Sequence, residues 1–435
     1  MSSPFSHGDP VPPDHYIVPD ESIIKTIVER FLNSGLSTAI VSERRFGKTS
    51  MLNYLRSPMI ADAINSVIQR EWHHMFYYIN VHELDKRTTD YYQLWKKILD
   101  SIIKDAGRNH NRERIFMCVR TCEKDGYDIT SIEELFKELK EQSIRLVMMI
   151  DEFDDLLNFP EFRSGEFFAG LRSLTTHMPS IALIITTRLS IGELNAQSQF
   201  EHFGSPYFNY FHQFFLGPFS DKATQRLFSL SAGRFNDADK LFLSQITGRQ
   251  PYLLQLAADL LWNAYEKGFK SQRRYEYVTE QLQLSSEHVF EYAWNHWSPE
   301  TRKALIVIAL NEVILPADKV NFESSSLPVS LQGFSPQIRR LQLSGFIIKS
   351  DKYSTGWEIE PQVFRWWMID LLESHKRNNT LGQFLDNQNL NSVFTSEEKT
   401  KLSEFIRAIG GFAKLGIESF IKAAAEGFGK GISGN

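Results

Sequence analysis

Apolar residues occur along the chain in two patterns, as short uninterrupted runs and as longer stretches with helical spacing. Runs that are wholly or mostly apolar predict strands at Thr38–Val41, Met75–Val81, Leu146–Ile150 and Ile181–Ile185. The helical spacing predicts helices between them, including Glu21–Asn33 and Asp90–Lys104. Runs without polar positions are typical of strands buried on both faces of a parallel sheet. Because strands alternate with helices, we expect an α/β fold in which helices cover both faces of the sheet.

The pattern changes after the aromatic stretch Tyr210–Leu216, where Gly217 and Pro218 end the predicted core. Helical spacing then continues from Ser220 to Ser298 without strand-like runs. This part of the chain is predicted to be an all-helical lid.

A third pattern follows the lid. A helix is predicted at Arg302–Asn311, and Ser335 with Pro336 predicts the start of another, with Ser335 as its N-cap. Two short strands, Phe346–Lys349 and Trp357–Ile359, come next. A helix, a helix and a hairpin in this order predict a winged helix.

The winged helix allows two interpretations. In the first, Arg339 and Arg340 on its second helix face DNA. In the second, the module packs on the lid as a mechanical element and binds no ligand.

The last part of the chain has its own composition. Residues 376–394 are rich in asparagine and glutamine and predict a polar linker. Thr395 and Glu398 then form a capping-box pattern. Beyond it, apolar and charged residues occupy opposite halves of a helical wheel, which predicts an amphipathic helical segment at 395–435.

This amphipathic segment also allows two interpretations. Its apolar face includes Phe405, Phe412 and Phe420, and six glycines lie between residues 410 and 431. Small residues beside an apolar face suit close helix–helix contact or shallow membrane insertion. Residues 404–432 would then be hidden in an off state and released to bind a membrane or a protein partner. Alternatively, the helix is docked permanently on the rest of the chain.

Composition narrows the class of protein. A chain of 435 residues exceeds one ordinary core, and 42% hydrophobic with 13% aromatic residues excludes a disordered protein. A net charge of −5 argues against broad nucleic-acid affinity. Cys118 and Cys122 lie one helical turn apart without a histidine pair at zinc spacing, so we expect reduced thiols. We expect a cytoplasmic protein, since no secretory leader and no span of roughly 18 apolar residues is visible.

The most informative motif is the loop Ser-Glu-Arg-Arg-Phe-Gly-Lys-Thr-Ser, between the first predicted strand and a helical pattern. The candidate phosphate-binding residues are Ser42, Glu43, Arg44, Arg45, Phe46, Gly47, Lys48, Thr49 and Ser50. Glycine lets the backbone approach phosphates, and free amides at the helix start attract an anion. Lys48 would reach the β- and γ-phosphates, and the Thr49 hydroxyl would bind Mg²⁺. Ser42 stands where this pattern usually has glycine. The alternative is a lysine at an ordinary strand–helix turn.

A second motif, Asp151-Glu152, ends the apolar run Leu146–Ile150. The carboxyl end of a central parallel strand lies at the ligand crevice of an α/β sheet. Asp151 would hold Mg²⁺, and Glu152 would orient or deprotonate an attacking water. Two surface acids capping a strand, with Asp154 and Asp155 nearby, are the alternative.

Two weaker signals follow these motifs. Arg188 ends the Ile181–Ile185 run and would contact the γ-phosphate, although a salt bridge at the sheet edge explains it equally well. Pro251, in Gly-Arg-Gln-Pro-Tyr, opens a helix that would cover the nucleotide. Three arginines in the predicted lid are further candidates for a phosphate-sensing cation, and the sequence does not choose among them. They are Arg226, Arg234 and Arg249.

The order of these motifs resembles the STAND class of signalling P-loop ATPases. More narrowly, the phosphate loop, the Ile-Asp-Glu and Thr-Thr-Arg strand ends and the Gly-Arg-Gln-Pro-Tyr helix start are similar to AAA-like ATPases of the origin-recognition clade. The resemblance covers about residues 5 to 370. It implies that ATP and ADP are the nucleotides, that Arg188 is a sensor arginine and that Pro251 belongs to the lid.

The sequence predicts six parts of the chain. They are an extended N-terminal arm at 1–19, a P-loop ATPase core at 20–217, a helical lid at 218–298, a winged-helix-like domain at 299–375, a polar linker at 376–394 and a C-terminal amphipathic segment at 395–435.

We expect an ATP-binding switch that cycles between a closed ADP state and an assembling ATP state. Catalysis, if the switch hydrolyses ATP slowly, would depend on Lys48, Glu152 and Arg188, with Mg²⁺ on Thr49 and Asp151. The switch would form a homo-oligomer on activation, and its amphipathic tail would then be free to associate with a membrane. The resemblance implies a setting in bacterial signalling or defence. The alternative function is a DNA-associated ATPase of the loader or transposition type, which would use its winged helix.

Overall fold

The structure is a computed structural model that describes residues 2–58, 60, 72–87, 89–106, 112–162, 165–198, 206–314, 331, 333–377, 381–408 and 412–426. The chain divides into two compact units. The first unit comprises Pro10–Ser42 and Gly47–Leu216, and the second comprises Met1–Asp9, Glu43–Phe46 and Gly217–Asn435.

A parallel sheet of five strands forms the centre of the first unit, in the order β2-β3-β4-β1-β5. The strands are β1 (Thr38–Val41), β2 (His73–Asn80), β3 (Ile144–Asp151), β4 (Ile181–Thr187) and β5 (His212–Phe215). Every pairing between neighbouring strands is parallel. The predicted α/β fold with a parallel sheet is therefore confirmed.

Strand β5 was not among the predicted strands. His212 and Gln213 are exposed, and the two phenylalanines that follow are half-buried. A strand at the sheet edge with polar residues in its first half lacks the uninterrupted apolar run by which the central strands are recognised. The aromatic stretch Tyr210–Leu216, which was predicted to end the core, therefore also contains an edge strand of the sheet.

Both faces of the sheet are covered, as alternate residues of β3 show. Leu146, Met148 and Ile150 belong to one hydrophobic cluster, and Val147 and Met149 belong to another. The two clusters lie on opposite faces because successive side chains of a strand point to opposite sides. The helices of this unit are α1 (Glu21–Glu29), α2 (Lys48–Leu55), α3 (Tyr91–Ala106), α4 (Arg112–Lys124), α5 (Ile129–Glu141), α6 (Glu166–His177) and α7 (Ile191–Gln197).

Arg145, next to the start of β3, is buried at 1% exposure and fixes the turn that leads into β1. Its guanidinium donates to the carbonyl oxygens of Pro179 at 2.6 Å and Phe31 at 2.9 Å, and also to that of Leu32. The two latter carbonyls lie in the π-helical turn Arg30–Ser34. Burial lowers the pKa of Arg145 to about 10, so the side chain remains charged at neutral pH.

Replacing Arg145 with leucine is expected to lower the free energy of unfolding by roughly 3 kcal/mol or more, because buried carbonyls lose their donor. Chemical denaturation would measure this loss. The matched control is Arg120→Leu on α4, an exposed position at which a change within about 0.5 kcal/mol is expected. Equal stability of both variants would contradict the assigned role of Arg145.

The second unit is mostly helical. Its helices are α8 (Asp221–Ser229), α9 (Asp237–Thr247), α10 (Pro251–Glu266), α11 (Ser271–His296), α12 (Pro299–Ile314), α13 (Ser335–Leu343), α14 (Gln362–Arg377), α15 (Leu381–Asn387), α16 (Ser396–Ala408) and α17 (Phe412–Ala425). Strands β6 (Ile347–Lys349) and β7 (Trp357–Ile359) pair antiparallel. Between Pro299 and Ile359 the described elements are thus helix, helix and hairpin, in the predicted order.

Two predictions for this unit need correction. Ser335 is not the N-cap of α13: the cap is Phe334, without a side-chain hydrogen bond, and Ser335 is the first helical residue. The segment 376–394 is not a simple polar linker, because it contains α15 and a 3₁₀ turn at Leu390–Ser392. The physical reason lies in four apolar residues spaced among the polar ones, all buried at 4% exposure or less: Phe384, Leu385, Leu390 and Phe394.

The capping box predicted at Thr395 is confirmed. The main-chain nitrogen of Thr395 donates to Glu398 Oε2 at 2.8 Å, and that of Glu398 donates to Thr395 Oγ1 at 3.2 Å. Glu398 also accepts from the buried Lys303 at 2.9 Å, which fixes the start of α16 on α12.

The final described helix, α17, is docked on the second unit. The ring of Phe420 lies 5.4 Å from that of Trp366 and 5.6 Å from that of Phe242, measured between centroids. Ala413, Ile421 and Ala424 are buried. The apolar face of this helix is therefore covered by its own chain. The helical wheel of the C-terminal segment also assigns Ile409 and Phe428 to the apolar face, and both residues lie outside the described part of the chain. Among the described helices, none is long and apolar enough to cross a bilayer.

Glu312 near the end of α12 is a buried acid at 1% exposure. Its Oε2 lies 2.9 Å from Arg365 Nε, and its Oε1 accepts from the main-chain nitrogen of Ile359. Burial raises the pKa of this carboxyl to about 7, although Arg365 acts in the opposite direction. The folded protein therefore binds a proton at Glu312 more tightly than the unfolded chain does.

Because the folded-state pKa is the higher one, the stability contributed by Glu312 is fully present below its ordinary pKa of 4.5 and is lost as the pH rises through about 7. In Glu312→Gln, the fall in unfolding free energy over this pH range should be flatter by up to roughly 1.4 kcal/mol per pH unit. Denaturation midpoints at several pH values would measure it. Glu291→Gln, at an exposed position on α11, should leave the pH dependence unchanged.

Candidate phosphate site

The candidate site begins where β1 ends and α2 starts. The main-chain nitrogen of Ser42 donates to the Thr187 oxygen at 3.1 Å, so the sheet pairing continues one residue into the loop. Gly47 is the N-cap of α2 with φ of +86°, a conformation that residues with a side chain rarely adopt. A Cβ at this position would meet no atom within 4 Å. The positive φ of the turn, and not a lack of space, therefore requires glycine here.

Lys48, the first residue of α2, is buried at 4% exposure. Its Nζ donates to the Ser42 main-chain oxygen at 3.2 Å and lies 3.8 Å from Glu152 Oε1. A buried ammonium requires partners of this kind, since desolvation disfavours its charged form. The lysine is thus held at the carboxyl end of the sheet, next to the first turn of α2.

Asp151, the last residue of β3, is fully buried and accepts three hydrogen bonds. The donors are Thr49 Oγ1 at 2.6 Å, the Tyr78 hydroxyl at 3.1 Å, and Thr186 Oγ1. Three donors satisfy the hydrogen-bonding capacity of this buried side chain, which would otherwise be costly to bury. They come from α2, β2 and β4, so the acid ties the phosphate loop to the two strands beside β3.

The Thr49–Asp151 pair fits Mg²⁺. This ion prefers oxygen ligands, and protein sites supply one or two of them while phosphates and water complete the shell. No cluster of three or more histidine, cysteine or acidic side chains suited to a metal occurs among the described residues. Mg²⁺ at the Thr49–Asp151 pair stays a prediction, in which the ion would neutralise the charge of a bound phosphate.

Glu152 follows in an uncommon backbone conformation, with φ of 56° and ψ of 47°. Its main-chain nitrogen donates to Thr186 Oγ1 at 3.0 Å, which holds this left-handed turn. The carboxylate is 17% exposed and lies beside Lys48. Non-glycine residues in this region are uncommon and concentrate at functional sites.

Arg188, just beyond β4, is held by Asp154. Its Nη2 and Nε lie 3.0 and 3.1 Å from Asp154 Oδ2, and its main-chain nitrogen donates to Oδ1 at 3.3 Å. Asp154 is only 2% exposed, and Asp155 lies 3.8 Å from the same arginine. In this structure the strand-end arginine forms an ion pair, as the simpler of the two interpretations expects. Its contact with a phosphate stays a prediction.

The middle of the loop, Glu43–Phe46, belongs to the second unit. Arg44 and Arg45 are exposed. The Arg44 guanidinium lies 4.6 Å from the ring centre of Tyr292, and that of Arg45 lies 5.2 Å from that of Tyr252. Arg45 also donates to the Gly8 oxygen at 2.8 Å. The side chains of Arg44 and Arg45 thus contact residues of the second unit.

Glu43 makes the most specific of these contacts. It is 6% exposed, and its Oε1 accepts from Trp297 Nε1 at 2.9 Å and from Arg340 Nη2 at 3.2 Å. In one of the two interpretations of the winged helix, Arg340 faces DNA beside Arg339. In the structure Arg340 contacts Glu43 and Arg339 is exposed, and a contact of either residue with DNA stays a prediction.

Pro251 opens α10 at its first position and is buried, as its helix-start pattern predicts. The neighbouring Arg249 forms an ion pair with Asp221, and Arg234 forms one with Glu266 while its guanidinium lies 3.8 Å from the centre of the Trp262 ring. All these groups belong to the second unit. A role for any of them at a nucleotide stays a prediction.

Several residues of the site were not predicted from the sequence. The contacts of Tyr78 and Thr186 with Asp151 depend on the order of the strands in the sheet, which no local sequence pattern encodes. Asp154 was considered only as a surface acid, although it is buried. The sequence contained a signal for its pairing with Arg188, since an acid a few residues after one central strand can pair with a cation at the end of the neighbouring strand.

In this structure strand β1 of a parallel sheet leads through Gly47-Lys48-Thr49 into a helix, and Asp151 ends a nearby strand. These two features define the P-loop NTPase class. The family profile for Novel STAND NTPase 2 matches residues 33–312, more than half of the chain. The chain belongs to this family.

Solved structures with similar folds were also found. The Walker-type ATPase of Pyrococcus abyssi is 15% identical with a TM-score of 0.48, and the match covers 83% of this chain and 99% of that one. The ORC2 protein of Aeropyrum pernix, in ADPNP and ADP complexes, is 13% identical with a TM-score of 0.45, covering 81% and 96%. Similarities at this level support no inference about function. No curated protein matches the sequence.

Proposed function

We propose that the protein is an ATP-binding signalling switch, held closed with ADP and able to assemble with ATP. The observation that supports this best is the joint placement of Lys48, Thr49, Asp151 and Glu152 at the carboxyl ends of the strands, within a chain of the Novel STAND NTPase 2 family. A lone lysine at a strand–helix turn would not require the buried carboxylate that its neighbour Thr49 contacts.

Each of these residues has a distinct proposed role. Lys48 binds the β- and γ-phosphates, and the loop amides supply further donors. Thr49 and Asp151 hold Mg²⁺. Glu152 orients and deprotonates the attacking water in a slow hydrolysis reaction. Arg188 reports the γ-phosphate by exchanging Asp154 for a phosphate oxygen, which links hydrolysis to a change in shape.

The C-terminal segment is proposed to transmit the signal. Residues 404–432 include α17, whose covered face is mostly aromatic and small residues. ATP-driven rearrangement of the second unit would release this helix for contact with a protein or membrane partner. Bacterial signalling or defence is the proposed setting, and it rests on the family resemblance.

The test of the switch is the mass of the full-length protein in solution, measured by light scattering with Mg²⁺ and either ADP or a non-hydrolysable ATP analogue. We expect larger particles with the ATP analogue than with ADP. The same mass with both nucleotides would count against an assembling switch, even if both nucleotides bind.

The DNA-associated alternative is tested in the same experiment by adding duplex DNA. A loader should bind the duplex with affinity that falls steeply as salt is raised. The switch predicts no dependence of assembly on DNA. The engagement of Arg340 with Glu43 and the net charge of −5 both favour the switch.

A further inference from the structure

We infer that Glu43 is a positioning residue of the phosphate loop, and that Trp297 and Arg340 set nucleotide affinity by holding its carboxylate. This inference rests on the proposed nucleotide site and adds a regulatory contact to it. Glu43 follows Ser42 directly in the chain, four residues before Gly47, so its backbone is part of the loop itself.

The carboxylate of Glu43 is held from two sides. Trp297, between α11 and α12, donates its indole N–H at 2.9 Å, and Arg340 on α13 lies 3.2 Å from the same oxygen. The side chains of Glu43 and Arg340 are 8% and 19% exposed. An ion pair shielded from water to this degree is weakened little by salt.

Trp297 is itself fixed in place. The residue is 3% exposed, and its ring packs edge-on against the rings of Phe346 and Phe364, with centroids 4.8 and 6.0 Å apart. Two aromatic rings, one directly before β6 and one on α14, therefore hold the indole that carries this N–H. Because the donor is fixed in this way, the carboxylate of Glu43 is linked to the positions of α13, α14 and the start of β6.

The charge of Glu43 explains why this contact matters for the nucleotide. A phosphate loop must accept a polyanion, and an uncompensated carboxylate within it opposes that binding. Arg340 compensates the charge of Glu43. When Arg340 is engaged the loop tolerates phosphate, and when Arg340 leaves, the exposed charge of Glu43 lowers the affinity.

The coupling must act in both directions. If engagement of Arg340 raises nucleotide affinity, bound nucleotide favours engagement of Arg340 by the same factor. A bound nucleotide would thus stabilise the arrangement of helices around Trp297, and loss of nucleotide would loosen it. This gives the switch a mechanical link from the phosphate loop to α13 that needs no direct contact between Arg340 and the nucleotide.

The test is a double-mutant cycle on the full-length protein, with ADP and Mg²⁺ affinity measured by calorimetry. Arg340→Gln keeps much of the side-chain stem but removes the charge, and it should weaken ADP binding about tenfold. In the Glu43→Gln background, the same Arg340→Gln change should have almost no effect, because no charge remains to be compensated.

The matched control is Arg339→Gln, the neighbouring exposed arginine on the same helix, which should bind ADP like the wild type. If Arg340→Gln does not fold, Trp297→Phe replaces it, because the phenyl ring keeps contact with Phe346 and removes only the indole donor. Weaker ADP binding by Trp297→Phe then supports the inference, and unchanged binding overturns it.

The outcomes separate this inference from the proposed function. Wild type that binds ADP, together with an Arg340→Gln variant of equal affinity, would overturn the inference alone. An equal loss in the Glu43→Gln background would also overturn it, because Arg340 would then act without Glu43. Wild type that binds no nucleotide would overturn both the inference and the proposed function.

Discussion

Replacing Lys48 with alanine is expected to weaken the binding of ATP and ADP by about 100-fold or more. Its ammonium is 4% exposed and is fixed by the Ser42 oxygen and by Glu152, so it is preorganised at the start of α2. Hydrogen bonds from an ammonium to phosphate are worth roughly 1.5–3 kcal/mol each, and two of them account for the expected loss. Calorimetric titration with Mg²⁺ and each nucleotide would measure the effect.

Two controls make the Lys48 result interpretable. Lys25→Ala removes a lysine that is 78% exposed on α1, and it should bind both nucleotides like the wild type. The thermal midpoint of Lys48→Ala without nucleotide shows whether the variant is folded, since the change leaves Glu152 without this cation. Retention of full affinity by a folded Lys48→Ala protein would show that the loop does not bind phosphate.

Glu152→Gln is expected to reduce ATP hydrolysis by roughly 100-fold or more while nucleotide affinity changes by no more than about threefold. Glutamine has nearly the same size, but it cannot take a proton from water. The backbone turn at Glu152 is held by a hydrogen bond from the main-chain nitrogen of Glu152 to the hydroxyl of Thr186. Since the Glu152 side chain takes no part in this bond, the substitution should leave the turn intact. Single-turnover release of phosphate is the appropriate measurement, because it is independent of product release.

Glu166→Gln is the matched control for hydrolysis, because this exposed glutamate lies in the first turn of α6 and makes no part of the candidate site. It should hydrolyse ATP at the wild-type rate. A Glu152→Gln protein with the same rate as the wild type would exclude Glu152 as the base. The switch itself would survive that result, since assembly with a non-hydrolysable analogue needs no hydrolysis.

The sequence predicted those parts of the fold that local patterns determine. Within strand β3 the run Leu146–Ile150 contains no polar residue, so the sequence indicates a strand that is buried on both faces. The capping box at Thr395 was likewise a local signal. The phosphate loop was recognised because its residue types and its position between strand and helix agree.

The remaining features depend on contacts between residues distant in sequence. Glu43 and Arg340 are 297 positions apart, and no local pattern indicates their pairing. The helix α15 forms in an asparagine-rich segment because tertiary burial of Phe384 and Leu385 outweighs weak local preference. Strand β5 is an edge strand whose sequence lacks a continuous apolar run. In each case the missing information was which distant surface the segment would meet.

The division of the loop between the two units limits how the protein can be dissected. A fragment comprising residues 10–216 would carry Glu43–Phe46 but would lack the tryptophan, the arginine and the two tyrosines that Glu43, Arg44 and Arg45 contact in the second unit. Phe46, 4% exposed in the intact chain, belongs to the same stretch. An isolated NTPase fragment would therefore present an incompletely supported loop, and a failure of that fragment to bind nucleotide would say nothing about the complete protein.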